Sequence, residues 1–325
     1  MPAAGGPFIV KLTTGSGCPW SVPNDSGAVS ITTGASGTGN GTIGFTVAPN
    51  GGPFARNLSL SVFGLTPTIS ISQTAGPASG GAQPSILPAG VVPVFSTVNA
   101  IQPGSWASIY GSNLGENAVW NGDFPTELGG VTVTIGGKLA YLWYVSPGQI
   151  NFQAPDDPNS GTVVVTTSAG SATSTVVVEP VASSFSLLDA KHVAGIIPRP
   201  DGTGAYGTGA GSYDILGPTG TSLGYKTVAA KAGDVVELFG VGFGPTNPAV
   251  PAGQVFAGPA APVVTPIDVQ IGGMSVSPGF AGLIEAGLYQ INVTIPQGAG
   301  TGDVPLFANV VRWGTTQAGL VISLQ

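Results

Sequence analysis

The sequence predicts an all-β protein, because its composition and its apolar periodicity both favour short strands joined by tight turns. Gly and Pro account for 53 and 29 of the 325 residues, a content that would also suit a disordered chain. However, only 7% of the residues are charged and 42% are hydrophobic, whereas disordered chains are charged and poor in apolar residues. Apolar residues also recur at every second position in many short segments. We therefore expect several small β-sandwiches.

The first 76 residues predict one such sandwich. Five segments alternate between apolar and polar residues, and Gly, Pro or Asn separate them: FIVKLTT, AVSITTG, GTIGFTVAP, NLSLSVFG and TISISQTA. Residues 77–90 read PASGGAQPSILPAG, a small and Pro-rich segment without periodicity. This composition is typical of an interdomain linker.

The rest of the chain contains an internal duplication. Three landmarks recur in the same order: PGSWASIYGSNLG (103–115) with AGDVVELFGVGFG (232–244), VTVTIGG (131–137) with IDVQIGG (267–273), and GQINFQAP (148–155) with YQINVTIP (289–296). Ordered repeats of this kind are typical of duplicated structural units. We predict two related sandwiches over 91–180 and 181–325, the second with a long loop insertion near 190–230.

The repeated Gln-Ile-Asn triplet admits a structural and a functional interpretation. In a strand, Ile150 and Phe152 would face the core, while Gln149, Asn151 and Gln153 would face the other way. Uncharged amides are suited to satisfying backbone groups of a neighbouring loop, which is the interpretation we favour. A duplicated ligand site is the alternative.

The N-terminal segment resembles the BACON domain family. Cys18-Pro19-Trp20 follows a first strand, GTGNGTIGFTV spans 37–47, and Asn50, Arg56 and Gln73 complete the order of landmarks. The resemblance implies an immunoglobulin-like β-sandwich of the kind found near the N-terminus of secreted bacterial proteins and associated with carbohydrate binding.

The duplicated region resembles the IPT/TIG domains. Each copy opens with the pattern G-x-x-x-x-I-x-G-x-x-L/F-G, or a close variant of it, and from about residue 88 onward the chain is similar to uncharacterised C-terminal domains of secreted acidobacterial proteins. The resemblance implies an immunoglobulin-like fold and an extracellular location, but it does not imply a catalysed reaction. With the BACON-like unit, it predicts three tandem immunoglobulin-like β-sandwiches.

Charge and hydropathy argue against two classes of partner. The net charge is −7, from 15 acidic and 8 basic residues, and the basic residues are scattered singly. Nucleic-acid binding needs clustered Lys and Arg, so we expect no nucleic-acid partner. No run of 18 apolar residues occurs, which predicts no membrane-spanning helix. The N-terminal MPAAGGPFIVKL lacks the regions of a signal peptide. The resemblances imply a secreted protein, so we expect that its export signal has been removed.

The sequence also predicts no enzyme and no cofactor. Cys18 and His192 are the only residues of their types, so Cys-His catalysis and zinc ligation lack partners. Cys18 is expected to be a small buried apolar residue. The segment GTGAYG (202–207) fits a dinucleotide motif, but the residues around it do not predict the required strand and helix. No G-x-S-x-G elbow and no recognisable carboxylate pair occur.

A cluster of oxygen-bearing side chains is a weak candidate for a metal site. Asp156, Asp157 and Asn159 offer the carboxylate and amide oxygens that Ca²⁺ prefers. The second copy has PQGAGTGD at this place, so the acids are not part of the repeat. An Asp-capped turn is the favoured interpretation, and we predict no metal site.

Aromatic and planar polar residues are the best candidates for ligand contacts. The CH groups of a sugar ring stack on aromatic faces, and its hydroxyls pair with amides and carboxylates. Trp120, Asn121 and Asp123 lie in a predicted loop, and Trp143 and Tyr144 directly precede the repeated strand. For Trp120, the best of these candidates, the interpretation that we favour is nevertheless an ordinary anchor that packs on the neighbouring domain. The other strand tryptophans, Trp20 and Trp106, are expected to be core residues.

Three functional hypotheses follow. The leading one is a secreted, non-enzymatic adhesion or binding protein whose partner is a polysaccharide or cell-surface glycan. The second is a structural subunit of an extracellular filament or surface layer, in which terminal strands such as GGPFIVKL and GLVISLQ pair with other copies of the chain. The third is the accessory part of a larger secreted enzyme.

Overall fold

The protein has an all-β fold of immunoglobulin-like sandwiches, which confirms the predicted fold class. A computed structural model describes residues 1–22, 28–50, 55–62, 69–75, 82–208 and 211–325, and these residues contain strands but no helix. The chain divides into two compact units: residues 1–83 with 168–170, and residues 84–167 with 171–325. The larger unit contains both copies of the duplicated segment.

The N-terminal unit consists of short strands around one apolar core. Its strands are β1 (Gly6–Leu12), β2 (Pro19–Ser21), β3 (Val29–Thr33), β4 (Ser36–Thr38), β5 (Gly41–Val47), β6 (Arg56–Leu60) and β7 (Ile69–Gln73). They pair in the orders β1-β5-β3, β2-β4 and β6-β7. The core contains Trp20, Val22, Val29, Ile43, Phe45, Val47, Leu60 and Val62.

The landmark residues of this unit have structural roles. Trp20 is buried, as predicted, and its Nε1 donates to the carbonyl of Gly39 at 2.9 Å. The Nε of Arg56 donates to Oε1 of Gln73 at 2.9 Å, and Nε2 of Gln73 donates to the carbonyl of Ala3 at 3.0 Å. Cys18 is exposed, so the prediction of a buried thiol is wrong, because this residue lies at a turn outside the core.

In the second sandwich, two sheets face each other across one core. Its strands are β8 (Ser85–Pro93), β9 (Ala100–Ile101), β10 (Trp106–Ser112), β11 (Ala118–Val119), β12 (Glu127–Leu128), β13 (Val131–Ile135), β14 (Lys138–Leu139), β15 (Tyr141–Val145), β16 (Gln149–Gln153), β17 (Thr162–Thr167), β18 (Gly170–Thr175) and β19 (Val177–Val178). The two sheets have the orders β11-β15-β16-β10-β8 and β12-β13-β17-β18. Ile109, Ile150 and Phe152 are fully buried between them.

The third sandwich repeats this plan with a larger first sheet. Its strands are β20 (Ser184–Phe185), β21 (Gly195–Pro198), β22 (Tyr213–Ile215), β23 (Val235–Val241), β24 (Ala261–Pro262), β25 (Ile267–Ile271), β26 (Met274–Val276), β27 (Phe280–Glu285), β28 (Leu288–Thr294), β29 (Gly302–Val310), β30 (Gly314–Thr315) and β31 (Val321–Leu324). The sheet orders are β22-β21-β23-β28-β27-β24 and β26-β25-β29-β30, with β31 paired to β29.

The sequence duplication corresponds to a duplicated strand register. In the second sandwich, Ile109 of β10 lies opposite Ile150 of β16. In the third, Leu238 of β23 lies opposite Ile291 of β28. The sequence alignment pairs these same positions. The Gly-Gly turns between β13 and β14 and between β25 and β26 also match, since both glycines of each turn have φ between 57° and 82°.

The repeated triplets have a structural role, but not the one predicted. The Nε2 of Gln149 donates to Oδ1 of Asn151 at 2.7 Å, and Gln290 makes the same bond to Asn292 at 2.8 Å. The two amides of each copy therefore bond to each other, because alternation places them on the same face of one strand. Gln153 does bond to neighbouring loops, as predicted: its Nε2 donates to the Gly104 carbonyl and its Oε1 accepts from the Gly253 N–H, both at 2.9 Å.

Residues 77–90 are predicted to be a linker, but the second part of this segment forms a strand. Residues 77–81 lie outside the described residues, but β8 already begins at Ser85. Its register against β10 shifts between Ile109 and Gly111, so residues 87–90 form a bulge, and Ala89 has a positive φ of 53°. Pro88 is tolerated within β8 because this strand is at the edge of its sheet.

The segment near 190–230 is not one long loop. It contains β21 and β22, which extend the sheet of the third sandwich beyond β23, and the buried side chains of Val193, Ile197 and Leu216 join its core. The motif at 202–207 lies in turns and bends before β22, without a following helix. The apolar residues of this segment do not alternate with polar ones over a sufficient length to predict strands on their own.

The C-terminal strand β31 lies inside the sandwich and not at a free edge. One side of it pairs with β29, and on the other side Val321 N donates to the Lys191 carbonyl at 2.9 Å and Ala230 N donates to the Ser323 carbonyl at 3.0 Å. Pairing of β31 with another copy of the chain would require these bonds to break. This strand therefore does not suit the predicted assembly role.

Candidate functional site

Three of the five tryptophans form an aromatic cluster in the second sandwich. The ring centroids of Trp106 and Trp120 are 5.7 Å apart, and those of Trp106 and Trp143 are also 5.7 Å apart, with interplanar angles of 76° and 70°. Phe124 lies edge-on to Trp120 at 4.7 Å. These are favourable edge-to-face arrangements.

The cluster lines an open cavity of about 530 Å³, which we call the Trp pocket. The third sandwich supplies the opposite side. The lining consists of Val94, Phe95, Trp106, Trp120, Gly122, Phe124, Trp143, Ser186, Val241, Val255, Phe256, Glu285, Ala286 and Leu288. The pocket is thus mostly apolar, with a few polar groups at its boundary, as small-molecule sites usually are.

Backbone and side-chain hydrogen bonds hold the tryptophans in place. The backbone N–H of Trp120 donates to the carbonyl of Trp143 at 3.0 Å, so the segment after β11 is tied to β15. The indole Nε1 of Trp106 donates to the carbonyl of Ala286 at 2.6 Å, across the junction with the third sandwich. Gly287 lies against this ring, because a Cβ there would be 2.6 Å from the Trp106 Cδ1.

A buried network fixes the junction between the two sibling sandwiches. Gln102 donates from Nε2 to the hydroxyl of Tyr289 at 2.8 Å and accepts from the backbone N–H of Gly244 at 2.6 Å. The Tyr289 hydroxyl donates to the Gly244 carbonyl at 2.5 Å. Burial raises the pKa of Tyr289 to about 12, so this hydroxyl remains a neutral donor at physiological pH. The junction is therefore a specific contact that shapes the pocket.

Most of the ligand-contact residues predicted from the sequence lie at or beside this pocket. Trp120 and Trp143 line it, and 38% of Trp143 is exposed. Asn121 and Asp123 are exposed on either side of the lining residue Gly122. With the Asn121 amide oriented so that its nitrogen faces Asp123, that nitrogen donates to the carboxylate at 2.6 and 3.1 Å.

Two placements differ from the expectations. Tyr144 does not line the pocket; it lies opposite Asn151 in the neighbouring strand. Trp106 is half-buried and lines the pocket, so its prediction as a core residue is wrong. Alternation along the strand places Trp106 on the outer face. The polar residues Ser108 and Gln153 on the same face are the sequence signal that could have indicated this position.

Charge at the pocket is negative. Glu285 is the one charged residue among the described lining residues, and Asp123 lies next to Gly122. The lining contains no Lys or Arg in the part of the chain that the structure describes. Electrostatics therefore disfavour an anionic ligand.

The residues considered for Ca²⁺ bind protein groups separately. Asp156 accepts two bonds from the Ala252 N–H at 2.9 and 3.0 Å, Asp157 pairs with Lys138 at 3.0 Å, and Asn159 donates to the Gly136 carbonyl at 3.2 Å. Among the described residues, no group of three or more His, Cys, Asp or Glu side chains is arranged to hold a metal ion.

The single histidine joins a charged cluster outside the pocket lining. His192 Nδ1 lies 2.8 Å from Asp189 and Nε2 lies 3.1 Å from Asp303. Lys191 donates to Asp303 at 2.7 Å, and this bond, with others from Ser323 and His192, lowers the pKa of Asp303 to about 2. Partial burial would raise the pKa of Asp189, but backbone N–H donors outweigh it and lower the pKa to about 2. The cluster fastens this segment to β29 and β31.

The fold and the pocket together define an all-β protein of immunoglobulin-like sandwiches with an aromatic cavity at a sandwich junction. No helix of the described residues has the length and apolar character needed to cross a membrane. A scan against family models found no match to the chain, and neither did a search of curated proteins.

Several solved structures are similar at low identity. One is SGBP-B of the mixed-linkage glucan utilization locus of Bacteroides ovatus, in complex with a mixed-linkage heptasaccharide (12% identity, 98% of this chain, 61% of that chain, TM-score 0.30). Others are a tandem of titin domains (8%, 98%, 93%, 0.19) and an auxiliary nutrient binding protein from Bacteroides thetaiotaomicron (10%, 74%, 50%, 0.23). The chain therefore spans about three fifths of the first protein. At these TM-scores the similarities say nothing about what this protein binds.

Proposed function

We propose that the protein is a secreted, non-enzymatic binding protein that holds carbohydrate in the Trp pocket. The observation that supports this most directly is the convergence of three tryptophans and Phe124 on one open cavity of about 530 Å³. Flat aromatic surfaces provide stacking area for the CH faces of a pyranose, at little cost in conformational entropy.

The polar groups around the pocket suit the hydroxyls of a neutral sugar. Glu285 and Ser186 lie in the lining, and Asn121 and Asp123 lie beside it. Carboxylates accept hydrogen bonds from hydroxyls, and amides both accept and donate them, whereas carboxylates would repel an acidic sugar and amides would not neutralise its charge. The proposed ligand class is therefore neutral carbohydrate.

The resemblance of residues 1–76 to BACON domains supports the same class, since that family is associated with carbohydrate binding in secreted bacterial proteins. A secreted location is part of this proposal for the same reason. The aromatic pocket lies in the larger unit, so the two lines of support are independent of each other.

A binding measurement on the full chain tests the proposal. Wild-type protein would be screened by affinity electrophoresis and a glycan array against neutral and acidic polysaccharides. Trp143→Ala should weaken binding by about tenfold or more, because a partly exposed aromatic anchor contributes on the order of 1 kcal/mol or more. The matched control is Trp313→Ala, since Trp313 is 44% exposed and lies outside the pocket lining.

Failure of the wild-type protein to bind any polysaccharide would refute the proposal. Equal losses in Trp143→Ala and Trp313→Ala would also count against the Trp pocket. Melting temperatures of both variants would show that the fold is retained.

Self-assembly is a second candidate function, favoured by one observation in the N-terminal unit. Strand β1 lies at the edge of its three-stranded sheet, and Ile9 at its centre is 73% exposed. An exposed edge with an apolar side chain can pair with another chain. Sedimentation over a concentration series tests this: assembly that Ile9→Lys abolishes, and that Ser30→Lys on β3 does not, would support it, whereas a monomer at all concentrations would refute it.

A further inference from the structure

We propose that the carbohydrate is bound as the interior of an extended neutral chain, which passes through the Trp pocket and continues over a second surface on the same sheet. This surface, the amide strip, consists of Gln149, Asn151, Tyr110 and Tyr144. The inference rests on the proposed function, and it specifies the form of the ligand and a set of contacts outside the pocket.

The strand register places the amide strip directly beside the pocket. Along β10, alternation puts Trp106, Ser108 and Tyr110 on the same outer face. On β16, Asn151 lies opposite Ser108, and Gln149 lies opposite Tyr110. Tyr110 is four positions after Trp106 along the strand, a distance of about 13 Å at the usual rise per residue. This length suits a chain of several sugar units better than a single one.

Hydrogen bonds within the strip hold its amides in fixed orientations. Oδ1 of Asn151 accepts from Nε2 of Gln149 at 2.7 Å and from the hydroxyl of Ser108 at 2.8 Å. These bonds occupy one end of each amide. The Nδ2 of Asn151 and the Oε1 of Gln149 make no side-chain hydrogen bond among those found for the described residues, so a donor and an acceptor remain for hydroxyl groups. Fixed amides lower the entropic cost of binding.

Aromatic side chains flank these amides. Tyr110 is 36% exposed, and the half-buried Tyr144 lies opposite Asn151 from the other side. The strip therefore combines stacking surface with planar polar groups, and its four side chains include no carboxylate, ammonium or guanidinium group. Such a surface suits an uncharged chain and gives no attraction to a polyanion.

The third sandwich provides an internal comparison. It retains the amide pair as Gln290 and Asn292, but Val235 stands where the second sandwich has Trp106, and Glu237 stands opposite Asn292 in place of Ser108. Only the second sandwich therefore joins the amide pair to tryptophans. The Gln-Asn bond by itself belongs to the shared scaffold, and the aromatic surroundings distinguish the proposed binding surface.

Titration calorimetry with oligosaccharide ladders tests the inference. The probes are cello-, xylo- and manno-oligosaccharides of increasing length, each with its monosaccharide. We expect affinity to rise with length until the strip is covered. Tyr110→Ala and Asn151→Ala should weaken binding of long chains by about tenfold, equivalent to roughly 1.4 kcal/mol, and leave the shortest bound sugar almost unaffected. Asn292→Ala is the matched control, because it removes the same intrastrand bond from the sibling sandwich.

The outcomes separate this inference from the proposed function. If the wild-type protein binds none of these oligosaccharides, the proposed function and the extended-chain inference are both refuted. If it binds sugars with an affinity independent of length, or if Tyr110→Ala and Asn151→Ala bind long chains as well as Asn292→Ala does, the extended-chain inference is refuted while the Trp pocket stands. Because Tyr110 is exposed, its variant keeps the test valid even if Asn151→Ala fails to fold.

Discussion

The junction between the sibling sandwiches offers the sharpest test of the structure, through the variant Gln102→Ala. Gln102 is 6% exposed and bridges the two sandwiches with bonds to Tyr289 at 2.8 Å and to the Gly244 N–H at 2.6 Å. The substitution removes both bonds and leaves the Gly244 N–H without this acceptor. A hydrogen bond contributes about 1 kcal/mol, and an unsatisfied buried group costs about 1–3 kcal/mol.

The expected loss is therefore about 2–4 kcal/mol. For a unit of this size, each kcal/mol lowers the melting temperature by about 2–4 °C, so we expect a decrease of roughly 5–15 °C. Differential scanning calorimetry measures this decrease. The control is Gln297→Ala, because Gln297 is exposed and its substitution should have little effect on stability.

A double-mutant cycle isolates the contact across the junction. Tyr289→Phe removes the hydroxyl that accepts from Gln102 and donates to Gly244, and the combined variant should lose less stability than the sum of the two. A melting temperature for Gln102→Ala equal to that of Gln297→Ala would refute the reasoning. Purely additive losses would show that the Gln102–Tyr289 bond contributes nothing.

Two further predictions concern the pocket and the charged cluster. Gly287→Ala should weaken both carbohydrate binding and stability, because φ is +68° and the new Cβ would lie 2.6 Å from the Trp106 ring. Titration calorimetry and thermal melts measure the two effects. Unchanged binding would contradict a role of Gly287 in positioning Trp106. The pKa of Asp303 is lowered to about 2 by Lys191, so its contribution to stability is complete above its ordinary value of 3.8 and is lost as the pH falls towards 2. Urea unfolding from about pH 5 down to pH 2 should therefore show a smaller acid loss for Asp303→Asn than for the wild type, and identical losses would contradict the assignment.

The part of the site that could be predicted from the sequence consists of residues near each other along the chain. Trp120, Asn121 and Asp123 share one segment, and an exposed aromatic among polar neighbours is a local signal. The sequence predicts Trp106 in the core because a tryptophan in an alternating strand is usually well buried. Its true environment depends on Ala286 and Gly287, which are about 180 residues away, and no local pattern reports such a contact.

The sequence by itself determined the all-β class and the sibling relation of the last two sandwiches, because alternation and glycine turns are local properties that survive duplication. It determined the inward residues of the repeated strand, since Ile150 and Ile291 are both fully buried. Only the tertiary structure decided that Gln153 bonds to the distant Gly253, that β31 is enclosed on both sides, and that three tryptophans face one cavity. These features depend on how distant segments pack, and the free energy of that packing is shared among contacts that are not adjacent in the chain.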